Sequence, residues 1–595
     1  MNLKESIEKE LKAVFFSLFD HKIDEKDFLQ PTRKEFSGDY TFVVFPYLKY
    51  TRQKPEDAGK RIGEKLIENS QWVDRFNVVK GFLNLNIKPS VWLDRFHQIF
   101  HEEDYGFLPP NKQKVVVEYS SPNTNKPLHL GHLRNNFLGY SVSQILDAGG
   151  FEVEKVNLVN DRGIHICKSM LAYQKFGNGE TPGSSGIKGD HLIGKYYVRF
   201  DKEYKKEIDG LVQNGTGKEH AEKEAPILLE AQQMLKKWEE NDSEVVGLWK
   251  TMNGWVYEGF DATYSRMGVS FDKYYYESET YLLGKAIVDE GLEKGIFYKK
   301  DNGSVWVDLS DEGLDEKLLL RADGTSVYMT QDLGTADLKY KDFQFNQSIY
   351  VVGNEQDYHF QVLFLILKKL GRNYAGGMHH LSYGMVDLPA GKMKSREGTV
   401  VDADDLMNEM AETARRHTEE LGKIDGFTEE QALDLYETLA LGALKFFLLK
   451  VDPKKRMLFN PEESIQFHGN TGPFIQYTHA RIAAIVRKAE QLEIDYQSFD
   501  VKQIDNLEDA VLSVFFLLNK FPDIIQEAAS NYAPSVVAQY AYDLAKEYNR
   551  FYTEISIFGE PDDNLLKFKV AFSYAVARTI KTSMGLLGIS VPERM

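Results

Sequence analysis

The sequence predicts a multidomain α/β protein in which a doubly wound, parallel-sheet domain with a long insertion follows an α+β module and precedes an all-α helical bundle. Three observations carry that expectation. The stretch Lys114–Gly150 reads as buried strand, polar turn and helix in succession. The first 110 residues mix helical and strand-like spacing. Beyond about Asp402 the composition turns helical with few breakers.

At 595 residues the chain is long for one core, and its 42% hydrophobic and 27% charged residues are ordinary for a globular protein. The single cysteine, Cys167, excludes an intramolecular disulfide, and no Cys-x-x-Cys pair offers structural zinc, which fits a reducing cytosol. The opening segment MNLKESIEKELKAVFFSLFDHK reads as an amphipathic helix without the apolar core of a secretory signal. No apolar run approaches the roughly 20 residues that cross a bilayer. A net charge of -18 argues against indiscriminate nucleic-acid binding, so a polyanionic partner must meet a locally basic surface.

Within the central stretch, Val115–Tyr119 is a β-branched run fit for a buried strand, and Leu130–Ala148 has helical apolar spacing closed by Gly149 and Gly150. A helix start leaves backbone N–H groups without partners and carries about half a positive charge, which favours an anion. Gly131 removes a side chain where a ligand would approach, His129 and His132 face one side of the first turn, and Lys126 adds a cation. Taken alone, the His-x-x-His pair also suits a metal-site fragment or a capped helix end. Its place after a strand and before a helix favours phosphate chemistry.

The run His129-Leu130-Gly131-His132 resembles the His-Ile-Gly-His motif of class I aminoacyl-tRNA synthetases. The wider EYSSPNTNKPLHLGHLRNN resembles the arginyl-tRNA synthetase version, and the likeness extends to the C-terminal LLGISVPERM. It implies a Rossmann-like catalytic domain that activates L-arginine with ATP and Mg2+ and esterifies it to tRNA-Arg. It further implies an enzyme that needs its tRNA before the adenylate forms; a cytoplasmic monomer with no zinc and no membrane contact is expected alongside. A class I synthetase for another amino acid, or a non-catalytic tRNA-binding paralogue, are the alternatives.

On this resemblance, residues 1–110 form the additional N-terminal domain that in the family contacts tRNA; there Tyr40, Phe42 and Phe45 are candidates for stacking as well as for a core. Residues 111–400 form the catalytic domain. Phe151–Asn160 reads as its second strand, the roles of Asn160–His165 stay open, and the spacing of His165 and Cys167 is read as incidental rather than metal-binding. An insertion is expected over about 178–300, with a Gly/Ser-rich loop, a break at Asn214–Gly217 and charges that are solvated helix faces.

Further along, a turn at Asp323-Gly324 leads to a helix start near Asp332, and Ile349–Gly353 is a buried strand. Asp332 suits a helix cap, but the resemblance makes Tyr328 and Asp332 the holders of the substrate guanidinium. A flat, forked cation needs acceptors fixed in its plane. Glu118, Asn123 and Gln356 match family positions for the amino acid, and His359 a nucleotide neighbour; Gln356 and His359 suit capping or surface roles as well.

The segment Gly391–Gly398 resembles the Lys-Met-Ser-Lys-Ser loop that in the family closes over the triphosphate. Lys392, Lys394 and Arg396 are its cations, and Met393 and Ser395 adjoin the nucleotide. Ser395 stands where the motif's second lysine belongs, and Lys126 is the expected substitute. Residues 401–468 connect to a helical anticodon-binding domain at 469–595, where Tyr548, Phe551 and Tyr552 are candidates to stack on bases or to fill a helix core, and Met595 is a further tRNA candidate.

Overall fold

A computed structural model describes residues 3–33, 35–387, 401–422, 424, 426–504 and 507–595. The chain forms two compact units, one of residues 1–105 with 481–522 and 543–580, the other of residues 106–480 with 523–542 and 581–595.

In the first unit the opening segment is a helix, Leu3–Phe19, whose Ile7, Leu11 and Phe15 face inward at helical spacing. Strands β1 (Leu29–Pro31), β2 (Tyr40–Val43), β3 (Val73–Val79) and β4 (Phe82–Ile87) pair antiparallel in the order β1-β2-β4-β3. The hairpin between β3 and β4 turns on Lys80 and Gly81, both in the left-handed region that a tight turn demands. Tyr40 and Phe42 are core residues, while Phe45 keeps 47% of its surface exposed.

Helix Pro89–His101 joins C-terminal segments of this unit through aromatic packing, with Phe96 5.1 Å from Phe515 and 5.6 Å from Phe568 between ring centroids. Phe551 lies 4.8 Å from Phe572 and 5.5 Å from Tyr548, whose hydroxyl donates to Ser573 Oγ at 2.9 Å. Tyr548 and Phe551 are fully buried. The expectation that they stack on tRNA is thereby corrected: their faces already contact protein. Tyr552 remains 42% exposed, beneath the Arg481 guanidinium at 4.9 Å, and Met595 is half-buried.

The second unit holds a five-stranded parallel sheet built from β5 (Lys114–Glu118), β6 (Glu152–Val159) and β7 (Lys273–Tyr276). A side sheet of β8 (Phe297–Lys299), β9 (Val305–Val307) and β10 (Lys317–Leu320) follows. The parallel sheet then closes with β11 (Gln347–Gly353) and β12 (Met378–Tyr383). Its order is β12-β11-β5-β6-β7. Val115, Val116 and Val117 are fully buried, as a strand covered on both faces requires. From β5 the chain moves to β6 and β7 on one side and later to β11 and β12 on the other, so the order reverses between β5 and β11. Ligands of doubly wound sheets sit at such a reversal, outside the carboxyl ends of the strands. Those ends carry Glu118 and Gly353.

The helix after β5 runs from Leu130 to Ala148, as its apolar spacing predicts. Between β6 and β7 the insertion is helical, with long helices Gly189–Gln213 and Ser243–Met267 around Lys218–Glu224 and Pro226–Glu239. The break falls at Asn214–Gly217, and the Gly/Ser-rich loop holds one short helix, Pro182–Ser185, boxed by Thr181 and Ser184. The helix expected near Asp332 starts a turn earlier, at Tyr328, and runs to Phe343; Val327 precedes it without a side-chain cap, so no capping residue marks that start. No helix among the described residues is long and apolar enough to cross a membrane.

Candidate functional site

The turn after β5 is unusual backbone. Ser120 and Ser121 both adopt positive φ, 77° and 45°, a conformation that non-glycine residues keep only when surroundings impose it. Asn135 and Asn157 impose it here. Asn135 Oδ1 accepts from the Ser120 N–H at 2.5 Å, and Asn157 Oδ1 accepts from the Ser121 N–H at 3.1 Å. Asn135 also donates to the Val351 carbonyl at 2.7 Å, tying the helix Leu130–Ala148, whose start at His129–His132 is called the signature turn below, to β11 across the reversal point.

At the helix start, His129 is the N-cap and His132 the third helical residue, and they form a reciprocal box made of imidazoles. His129 Nδ1 accepts from the Gly131 N–H, and His132 Nδ1 from the His129 N–H, both at 3.1 Å. Because each Nδ1 accepts, the neutral rings carry their protons on Nε2. Burial, with the charge of Lys126, holds the His129 pKa at about 4 and that of His132 well below the ordinary imidazole value. Both therefore act as uncharged N–H donors, their rings 4.0 Å apart.

Two details differ from expectation. The space left by the missing Gly131 side chain is filled by the His129 ring, since a Cβ there would stand 2.9 Å from Cε1. The backbone N–H groups expected to be free for an anion are also taken. That of Leu130 donates to the Val401 carbonyl, that of Gly131 to His129, and those of His132 and Leu133 to the His129 carbonyl. The positive features left at this helix start are the two Nε2–H groups, the charge of Lys126 and the helix field.

On the opposite side of the reversal, Asp332 lies one turn into its helix, with His359 Nε2 2.6 Å from its Oδ2. The structure thus places His359, expected beside the nucleotide, on the carboxylate. Tyr328 stands at the helix start with 75% of its surface exposed, and Asn123 and Gln356 are likewise exposed. Glu118 and Asp332 both bear on the buried Tyr350 hydroxyl, so they share one neighbourhood.

Glu118 differs most from expectation. It is buried, and Lys339, itself buried, donates to its Oε2 at 2.7 Å. Burial opposes the Lys339 charge, yet Glu118 and Tyr350 keep its pKa raised, and the ammonium lies 3.9 Å over the Tyr350 ring. Glu118, expected at a position for the amino acid, thus has its carboxylate paired with an internal cation.

Glu277, which has no sequence motif to mark it, is a further acid close enough to feel Asp332. It follows β7 and feels Asp332, and burial pushes its pKa up to about 7, Arg162 opposing and Asp161 and Asp332 reinforcing. Its position derives from Asp161 in the previously open Asn160–His165 loop. The buried Asp161 carboxylate accepts from the Ser278 N–H at 2.8 Å, the Ser278 hydroxyl at 2.7 Å and the Tyr257 hydroxyl at 2.9 Å. Arg162 pairs with Glu239 at 2.8 Å and stacks 3.8 Å from the Tyr281 ring. His165 lies 3.0 Å from the Tyr197 hydroxyl, and Cys167 is buried with its thiol pushed up to about 12, an inert environment.

A cavity of about 1560 Å³ opens beside Lys126 and His129 and runs along the insertion, lined among others by Lys175, Phe176, Lys195, Tyr197, Arg199 and Lys202. It exceeds the roughly 300–1,000 Å³ of small-molecule pockets. The expected site residues Lys392, Met393, Lys394, Ser395 and Arg396 lie outside the described residues.

Comparison with known proteins fits this geometry. The model for the catalytic domain of tRNA synthetases class I (R) matches residues 97–460, the DALR anticodon binding domain 475–595, and the arginyl tRNA synthetase N terminal domain 1–87. The chain is 59% identical to an arginine–tRNA ligase of Amoebophilus asiaticus, with all of both chains covered, and 55% identical to that of Flavobacterium psychrophilum, again with complete coverage. Its fold is shared with the arginyl-tRNA synthetase of Thermus thermophilus, at a TM-score of 0.78 and 24% identity over 99% of this chain and 100% of that one. A Plasmodium falciparum structure gives 0.77 and 21% with both chains fully covered.

Proposed function

This chain belongs to the class I arginyl-tRNA synthetases and is an arginine–tRNA ligase that consumes ATP, and we propose how its own residues divide that work. The observation that supports this division is that uncharged imidazoles follow β5 at the signature turn while the acids Asp332 and Glu277 lie near one another in a separate group.

The arginine guanidinium binds against Asp332, which His359 holds in position, with Glu277 as the second acid and the Tyr328 hydroxyl alongside. Asn123 and Gln356 hold its α-amino end. The buried Glu118–Lys339 pair forms the floor. With the side chain anchored, the α-carboxylate attacks the α-phosphorus of ATP, taken as its Mg2+ complex, and pyrophosphate leaves. This step needs position and charge stabilisation rather than a protein nucleophile. His129 and His132 donate Nε2–H to phosphate oxygens as charge moves toward pyrophosphate, and Lys126 supplies the nearby cation. On the resemblance of residues 391–398 to the family's basic loop, Lys392, Lys394 and Arg396 are assigned to the triphosphate and Met393 and Ser395 to the nucleotide.

A terminal hydroxyl of tRNA-Arg then attacks the arginyl carbonyl and AMP leaves. The cavity along the insertion suits the single-stranded end of the tRNA, offering Lys175, Lys195 and Arg199 to phosphates and the rings of Phe176 and Tyr197 to bases. The enzyme works as a cytoplasmic monomer. Charging of bulk tRNA with each labelled amino acid tests the whole assignment: arginine alone is esterified, and a different amino acid on the tRNA overturns it.

Adenylate formation waits for tRNA. Pyrophosphate exchange with arginine and ATP is expected to stay at background until tRNA-Arg is added, and brisk exchange without it would remove the claim. Arginine binding also depends on pH through Glu277. Its carboxyl is ionised above about pH 7 and protonated below, so the KM for arginine should rise roughly tenfold from pH 8 to pH 6. Glu277→Gln should raise KM at pH 8 and flatten the profile; a variant that keeps the wild-type slope assigns the dependence to another group.

A further inference from the structure

The signature turn is held from behind by a cluster at the edge of the cavity along the insertion. Residues 401–403 run antiparallel to it: the Leu130 N–H donates to the Val401 carbonyl, the Ala403 N–H donates to the Leu128 carbonyl at 3.0 Å, and His129 pairs with Asp402. Asp402 caps the next helix, Ala403–Glu420, through the N–H groups of Asp404 and Asp405. Asp404, in that first turn, is gripped by the insertion. Lys188 donates to its Oδ2, His191 Nε2 lies 3.1 Å from the same oxygen, and Thr263 Oγ1 lies 3.2 Å from Oδ1. Lys188 also lies 3.3 Å from Asp190 Oδ2, so an ammonium already occupies the centre of an Asp190–His191–Asp404 group otherwise spaced like metal ligands.

We propose that His191 and Lys188, acting through Asp404, are positioning residues for adenylate formation: they clamp residues 401–404 against the signature turn and so fix where the His129 and His132 Nε2–H groups point. The clasp joins three parts far apart in sequence: the insertion helix at residues 188–191, the turn at 128–130, and the segment that follows the basic 391–398 motif. Neither residue has to touch substrate, although His191 lines the cavity that His129 also lines. Its strength depends on charge. Burial opposes protonation of His191, but Asp404, Asp190 and Asp402 together raise its pKa, Lys188 opposing, while Asp404 is held well below the usual carboxylate range by His191 and Lys188 against its burial. The clasp is therefore closed in the pH range where imidazole is ordinarily half-charged, and loosens as pH rises beyond it.

The inference rests on the phosphate role given to the signature turn, and the test separates the two. In tRNA-dependent pyrophosphate exchange, His191→Ala and Asp404→Asn should each lower kcat about tenfold or more, with KM for arginine within about twofold, as expected for a displaced but intact site. The double variant should lose no more than Asp404→Asn alone, because that substitution already weakens the His191 contact. His191→Gln keeps an uncharged donor toward Asp404; it should regain part of the rate and lose the wild-type decline on the alkaline side. Unchanged kcat in both single variants, additive losses, or an effect confined to KM would overturn the clasp. His132→Ala measured alongside decides between the two readings: if it too retains full rate, the phosphate role of the turn has failed; if only the clasp variants are silent, the clasp has.

Discussion

Asp332→Ala is expected to raise the KM for arginine by roughly two decades or more while leaving the KM for ATP near its wild-type value. A guanidinium that loses its in-plane carboxylate forfeits about 3 kcal/mol, near the lower end of the range for breaking a buried charged pair because Asp332 keeps some contact with solvent. His359 loses its partner as well, so the vacated space cannot be recovered by the imidazole. Asp332→Asn isolates charge from shape: it keeps the volume and should still weaken arginine more than tenfold, a difference of about 1.4 kcal/mol or more. Steady-state tRNA charging at varied arginine reads both. A KM within threefold of wild type for the alanine variant would place the guanidinium elsewhere, with Glu277 the first candidate.

His132→Ala should act on the other axis, lowering kcat on the order of a hundredfold with arginine affinity little changed, the typical loss when one pre-positioned donor to a developing charge is removed. The same substitution opens half of the imidazole box, so about 1 kcal/mol of stability should go with it. A melt measured beside the kinetics separates the two effects, since a stability loss of that size leaves the protein folded at assay temperature. Retention of full kcat would show that the ring serves only as a cap. The low pKa of both imidazoles adds a condition: the rate should not fall across pH 6 to 8 through their titration, because both are already neutral there.

The parts of this site that could be read from sequence are local ones. Strand β5, the turn and the helix Leu130–Ala148 follow from β-branched and helical spacing within 35 residues, and their junction points to phosphate by position alone. What escaped depends on contacts between distant residues. Nothing near Glu118 in sequence announces its partner, Lys339, which lies 221 residues later. Glu277 gains its place from hydrogen bonds between Asp161 and Ser278, 117 residues apart. The N–H of Leu130 looks free until the chain returns at Val401. Tyr548 and Phe551 show the converse, for an aromatic residue in a helix has the same appearance whether its face meets a base or Phe572, and only burial distinguishes them.

The floor pair of Glu118 and Lys339 constrains how this pocket can drift over generations. Losing either member alone strands an unscreened charge in the sheet interior, whereas exchanging both at once for uncharged residues of similar bulk leaves nothing stranded. Lineages should therefore retain the two together or abandon them together, and a genome carrying only one would mark a protein in which the bottom of the pocket has been rebuilt.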